Sequence, residues 1–262
     1  GIRILYHAFV GDLIFDDGVF QAAVLHIGQE KELVGARAVV IAAGGFEANL
    51  EWLARIWGES AHNFIVRGTP YNDGIILAKL IENGAMPIGD PKGFHAVAVD
   101  ARSPKYDGGI VTRLDAIPFG IVVNQCGHRF YDEGENIWPK RYASWGRLIA
   151  EQPGQIAYCI VDSKTVERFL PPMYKPYQSD TIEGLAVLLN LNPSVLAGTL
   201  GEYNRAAAGN TNLQIDRLDG LSTRDLQPPK SNWALPIDTP PYYGLPRSEE
   251  RRVGKECRYR WS

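Results

Sequence analysis

The sequence predicts an α/β protein of two domains, and three of its features carry that prediction. Residues 36–43 (ARAVVIAA) form a near-continuous apolar run closed by Gly44-Gly45-Phe46, the pattern of a strand covered on both faces. Two capped amphipathic helices follow that turn. At 262 residues, 45% hydrophobic and 22% charged, the chain can bury one large core or two smaller ones.

Each element has its own reason. Residues 2–5 read as a short apolar strand, and residues 10–14 and 19–27 as a hairpin joined at Asp16-Asp17-Gly18. Gly35 leads into the strand at 36–43. Asn49 is placed to cap a helix carrying Leu50, Leu53, Ile56 and Trp57 on one face, with Gly58 as its stop. Asp73 is placed to cap a second helix with the stripe Leu77, Leu80 and Ile81, and Gly84 follows its end. Residues 90–118 read as irregular. A strand at 120–123, an Asn-x-x-Gly turn at 124–127, a helix at 141–152 and a strand at 156–161 come next. Two helices follow, near 181–190 and 193–208, the last opened by Asn192-Pro193.

Composition excludes several classes of function. A formal net charge of -3 and a pI near 6.0 argue against a polyanion binder, so nucleic acid is not an expected partner. Three widely spaced cysteines (Cys126, Cys159, Cys257) suggest neither a disulfide framework nor a metal knuckle, which points to a reducing, cytoplasmic setting and to no metal. No apolar run approaches the roughly 20 residues that span a bilayer. The N-terminus has no charged-then-apolar leader pattern.

Charge is concentrated between residues 108 and 141 (GGIVTRLDAIPFGIVVNQCGHRFYDEGENIWPKR). An apolar strand there is flanked by Thr112, Arg113, Asp132, Glu133, Glu135 and Arg141, as in the wall of a cleft where charge is wanted. Three further signals are weak alone. Gly44-Gly45 after a strand lets a backbone approach a ligand, but a tight turn explains it as well. Asp73 in Asn72-Asp73-Gly74 can be a helix cap, and His95 a structural histidine.

Their order is more informative than any one of them. A strand with Ala-Gly-Gly-Phe, an Asp-Gly helix start, a histidine, a threonine before GI-V-V-N-x-x-G-x-R-F-x-x-E, and then an arginine resembles the fumarate reductase and succinate dehydrogenase flavoprotein superfamily. RGTPYN (67–72), HAVAVDAR (95–102), GGIVTRLD (108–115), RFYDEGE (129–135), WPKRYA (138–143), WGRL (145–148) and PIDTPPYYG (236–244) resemble its FAD-dependent tricarballylate dehydrogenase branch. The resemblance implies FAD as cofactor and a small carboxylate as substrate, oxidised to the alkene by hydride transfer to flavin. It also implies reoxidation by a membrane-associated electron-transfer partner. Fumarate reductase-like or succinate dehydrogenase-like chemistry is the alternative within the superfamily.

The same resemblance assigns residues. Val10 falls on the meander strand whose backbone contacts the adenine part of FAD. Ala43, Gly44 and Gly45 match the Ala-Thr-Gly-Gly turn beside the dinucleotide, with Ala43 in place of the threonine, and Asp73 matches a Thr-Gly-Asp-Gly segment. His95 and Thr112 match substrate-carboxylate ligands, and Arg141 the arginine that exchanges the proton. The acid and arginine that complete the fumarate reductase relay correspond to Arg113 and Ala116, so the relay differs here. Arg113 is expected to clamp a further carboxylate, its planar fork suiting bidentate recognition. Asp132, Glu133 and Glu135 are expected to orient arginines by ion pairing.

The expected domains are a partial Rossmann-like FAD-binding domain over 1–94, an α+β capping domain over 95–235 with a hinge near Pro139, and a return to the first domain over 236–246. The last sixteen residues hold six Lys/Arg and three Glu without periodicity. From Arg247 they resemble a translated sequencing adaptor and are expected to be non-native. The phosphate-gripping Gly-x-Gly-x-x-Gly turn is not in the sequence, so a chain that is an inactive fragment is a further expectation, with a stand-alone carboxylate-binding module as a third.

Overall fold

The computed structural model describes residues 1–66, 68–93, 95–106, 113 and 115–252, with side chains to residue 247. The chain forms two compact units, one of residues 1–62, 68–94 and 252–262, the other of residues 63–67 and 95–251.

In the first unit β1 (Ala8–Asp16), β2 (Val19–Ile27) and β3 (Glu30–Gly35) make an antiparallel meander in the order β1-β2-β3. Asp17 and Gly18 take φ of 46° and 75°, the left-handed pair that a two-residue hairpin turn requires. A bulge between Val10 and Asp12 leaves Gly11 as the extra residue. The helix α1 (Leu50–Trp57) is capped by Asn49, whose Oδ1 accepts from Trp52 N at 2.9 Å, and it stops at Gly58 with φ 77°. The helix α2 (Ile75–Glu82) packs Ile76 and Leu80 against Leu13 of β1.

Three expectations for this unit need correction. Residues 2–5 and 36–43 are not strands, and Val40 is 91% exposed. Among the described residues no strand pairs with either segment, and the single bond from Ala36 N to Gln21 O at 3.3 Å makes no ladder. The cap of α2 is Gly74, not Asp73. Gly74 sits at φ 78°, and a Cβ there would meet Phe46 and Trp52 at 2.6 and 2.8 Å, so the turn is closed to other residues. Asp73 still helps, because its Oδ1 accepts from Ile75 N at 3.1 Å.

The second unit is built on β4 (Ile65–Val66), β5 (His95–Asp100), β6 (Ile121–Asn124), β7 (Ile156–Asp162), β8 (Tyr177–Ser179) and β9 (Tyr242–Arg252). The sheet runs β4-β9-β7-β6, with β5 and β8 also pairing with β9. Helices α3 (Trp138–Arg141), α4 (Trp145–Ala150), α5 (Ile182–Leu188) and α6 (Pro193–Ala206) cover it. Alternate residues of β6 and β7 face opposite layers. Ile121, Val123, Tyr158 and Ile160 pack on Leu185, Leu196 and Leu200 of α5 and α6, whereas Val122, Cys159 and Val161 pack on Trp145 and Ile149 of α4. Cover on both faces is why β7 reads as an unbroken apolar run.

Here too the sequence reading shifts in places. The segment 90–118 contains β5, and the helix expected at 141–152 is α3, a 3-10 turn at Tyr142–Ser144 and α4. Asn192 caps α6 as expected, Thr181 caps α5, and the strands at 120–123 and 156–161 are β6 and β7. The strand β9 runs past the break in composition at Arg247, which pairs with Ala157 and is fully buried.

Candidate active site

The residues expected to meet substrate belong to the second unit. His95 opens β5, Arg113 bridges to Val99 of the same strand, and Arg141 ends α3. Thr112 lies outside the described residues.

One aromatic ring joins two of these residues. The Arg113 guanidinium lies 4.9 Å from the centroid of Tyr142, and the His95 ring meets the same tyrosine edge-on at 5.1 Å. A cation over a tyrosine face is attracted by the ring quadrupole, so Tyr142 is a platform on which Arg113 rests. Arg113 Nη2 donates to Asp115 Oδ2 at 2.9 Å, and Trp138 Nε1 donates to Asp115 Oδ1 at 2.6 Å. Among the described residues Arg113 Nε makes no hydrogen bond, so the fork keeps donors to spare.

Arg141 belongs to a second cluster. It pairs with Glu135, and its Nη2 donates at 2.8 Å to the Tyr131 hydroxyl, which in turn donates to Glu135 Oε2 at 2.7 Å. Burial, helped by the bond to Glu135, moves the Tyr131 hydroxyl above its ordinary pKa, so it stays protonated as a donor.

The acids divide their work differently from the expectation that all three orient arginines. Glu133 pairs with Arg129 at 2.5 Å, both nearly sealed from solvent, and Glu135 pairs with Arg141. Burial alone would lower the Arg129 pKa, but the charge and hydrogen bonds of Glu133 outweigh it and the net shift is upward. Asp132 instead accepts from the backbone N–H of Gly134 and Ser231 and from the Ser231 hydroxyl. Sequence reasoning missed Asp115, Trp138, Tyr142 and Tyr131. The signal was there in WPKRY, where Trp138 and Tyr142 stand four apart and so share a helix face.

Beside Trp138 and Asp115 a cleft of about 400 Å3 is walled by Phe119, Phe169, Leu170 and Ile215. Buried behind β6, Lys230 Nζ donates to Pro118 O and Gly120 O at 2.9 and 2.6 Å, and burial pushes its ammonium down to about 8. Among the described residues no group of three or more His, Cys, Asp or Glu could hold a metal ion, and no helix is long and apolar enough to cross a membrane.

The residues expected to meet the cofactor belong to the first unit. Gly44, at φ 75°, comes so close to Asn72 that a Cβ would meet its Oδ1 at 2.5 Å. Ala48 N donates to Asn72 O and Asn49 Nδ2 to Asp73 O, both at 2.9 Å, so the turn at 43–45 and the segment before α2 are tied together. Asn72 Nδ2 also donates to the buried Glu47 at 2.6 Å. Among the described residues the N–H groups of Ala43, Gly44 and Gly45 donate to no backbone carbonyl, and Ala43 and Gly44 are exposed. Such a turn fits a dinucleotide, which accepts from backbone N–H groups. Val10 packs half-buried with Leu13, Ile76 and Leu80, placing its strand against the helix that Asp73 precedes.

The chain is also similar to known proteins. The chain is 27% identical over 219 residues to a probable fumarate reductase of Shewanella frigidimarina, covering 79% of this chain and 34% of that protein. Its fold matches the open conformation of a flavocytochrome c3 fumarate reductase with a TM-score of 0.69 at 22% identity, over 93% of this chain and 40% of that one. It also matches a 3-ketosteroid delta1-dehydrogenase from Sterolibacterium denitrificans with a TM-score of 0.67 at 22% identity, over 93% and 48%. The chain thus spans about a third of the length of that curated relative and less than half of those structures. A family model described as the FAD binding domain matches residues 1–243, so the cofactor is FAD and the chain belongs to the FAD binding domain family.

Proposed function

We propose that the chain is part of an FAD-dependent oxidoreductase that oxidises tricarballylate, or a related di- or tricarboxylate, to the alkene. The observation that supports it most is the Tyr142 ring shared by His95 and Arg113, two groups suited to binding carboxylates. FAD, when bound, accepts the hydride. Ala43, Gly44, Gly45 and Asp73, with the backbone of Val10, hold the cofactor. His95, Thr112 and Arg113 hold substrate carboxylates, and Arg141 takes the proton from the neighbouring carbon, steadied by Glu135 and Tyr131. Arginine normally stays charged and a guanidinium offers no lone pair, so Arg141 takes that proton only after passing one of its own to Glu135, with which it pairs, a short proton path. Asp115 already uses part of the Arg113 fork, and the remaining donors are those that meet substrate.

A capping domain that closes over substrate, a cytoplasmic location and a membrane-associated electron acceptor complete the proposal. Fumarate reductase-like chemistry on dicarboxylates uses the same groups without Arg113. A second reading, an apolar substrate seated in the cleft of Phe119, Phe169 and Leu170, is favoured by that cleft and opposed by the charge beside it.

The test is to load the protein with FAD and assay it with an artificial acceptor. Tricarballylate, succinate and a 3-ketosteroid are the substrates. Oxidation of tricarballylate, with an Arg113→Ala variant weakened about 30-fold in KM as befits one charge-assisted contact, is the expected result. Turnover of the steroid alone would reverse the choice of reading.

A further inference from the structure

Both ends of α3 reach Arg113. Tyr142, the residue after α3, lies beneath the guanidinium at 4.9 Å. Trp138, its first residue, reaches it through Asp115, whose two oxygens are split between Trp138 Nε1 at 2.6 Å and Arg113 Nη2 at 2.9 Å. The indole N–H is donor only and the carboxylate acceptor only, so these bonds have one possible direction. A carboxylate held at both oxygens has a fixed plane. A guanidinium held by that carboxylate and by a ring face is fixed in tilt and in height. Asp115 is 13% and Arg113 25% exposed at the side chain, so solvent contributes little alternative bonding.

We propose that Trp138, acting through Asp115, is a positioning residue that sets the pose of Arg113 and with it the preference for a substrate bearing a third carboxylate. The inference rests on the reading of Arg113 as the clamp for that extra group. A dicarboxylate held by His95 and Thr112 makes no demand on Arg113, so loosening the brace costs a tricarboxylate more than a dicarboxylate. A purely structural Trp138 would affect both substrates alike.

The experiment compares wild type with Trp138→Phe, which keeps the ring and removes the N–H. The FAD-loaded enzyme is assayed with tricarballylate and with succinate as second substrate or, where it is not turned over, as inhibitor. The KM for tricarballylate is expected to rise about five- to tenfold, as for loss of one hydrogen bond to a charged group, while the succinate constant changes less than twofold. A second variant guards against misfolding: Asp115→Asn, which keeps the shape but leaves one acceptor for the two donors, should shift the ratio in the same direction, with bound flavin absorption showing that each variant is folded. A tricarballylate-to-succinate ratio unchanged within twofold in Trp138→Phe overturns the inference alone. A wild-type enzyme that binds neither acid overturns the reading of the site as well.

Discussion

Residues 36–43 (ARAVVIAA) and β7 (IAYCIVD) are apolar runs of nearly equal length and hydrophobicity, yet they end up in opposite environments. The strand β7 pairs with β6 on one side and β9 on the other and is packed by helices on both faces. The run at 36–43 has neither ladder nor cover among the described residues, and Val40 is 91% exposed. An apolar run states a demand for burial. Whether the demand is met depends on neighbours that the run itself does not encode.

The largest expected effect lies at the heart of β7. Ile160 is fully buried between β6 and β9, so Ile160→Ala should lower stability by about 4 kcal/mol in urea unfolding. Next comes the outer edge of β6, where Glu133 Oε1 accepts from Val122 N at 2.8 Å while the carboxylate pairs with Arg129. Glu133→Ala strands that buried guanidinium and the N–H together, for a loss of about 3 kcal/mol. The surface pair Arg147–Glu151, exposed at both ends, is the control, and its removal should cost under about 0.5 kcal/mol.

Lys230 tests the same edge through pH. Its folded pKa, about 8, lies below the ordinary lysine value of 10.5, so between those values the unfolded chain binds more protons and stability rises with pH. The rise should reach about 2 kcal/mol by pH 10, beyond which Tyr203, whose pKa burial raises, begins to oppose it. Lys230→Met should flatten that profile. The smallest effect belongs to the other member of the comparison: Val40→Ala should change stability by less than about 0.5 kcal/mol. A loss near that of Ile160→Ala would show that residues 36–43 are covered in solution.

What could be read from sequence follows the same division. Elements specified by local chemistry were legible: the Asp17-Gly18 hairpin, the caps Asn49 and Asn192, and the Asn124 to Gly127 turn all stand where their residues place them. Features set by distant partners were not. Gly74 rather than Asp73 caps α2 because Phe46 and Trp52 fill the space a side chain needs. The strand β5 was hidden in a turn-rich stretch because its pairing comes from β9, some 140 residues later. In the candidate site Arg113 and Arg141 stood out, but the supports Trp138 and Tyr142 did not, since aromatic residues read as core until their partners are seen.

The carboxylate of Glu133 has a consequence for association as well as for folding. The strand β6 ends its sheet, and an end strand is a template on which another chain can add. Glu133 takes the outward N–H of Val122, His128 O that of Asn124, and Lys230 donates to the carbonyl of Gly120. Much of the β6 rim is therefore already engaged by its own chain, so among the described residues a passing strand finds these groups taken and a poorer edge on which to grow a fibre.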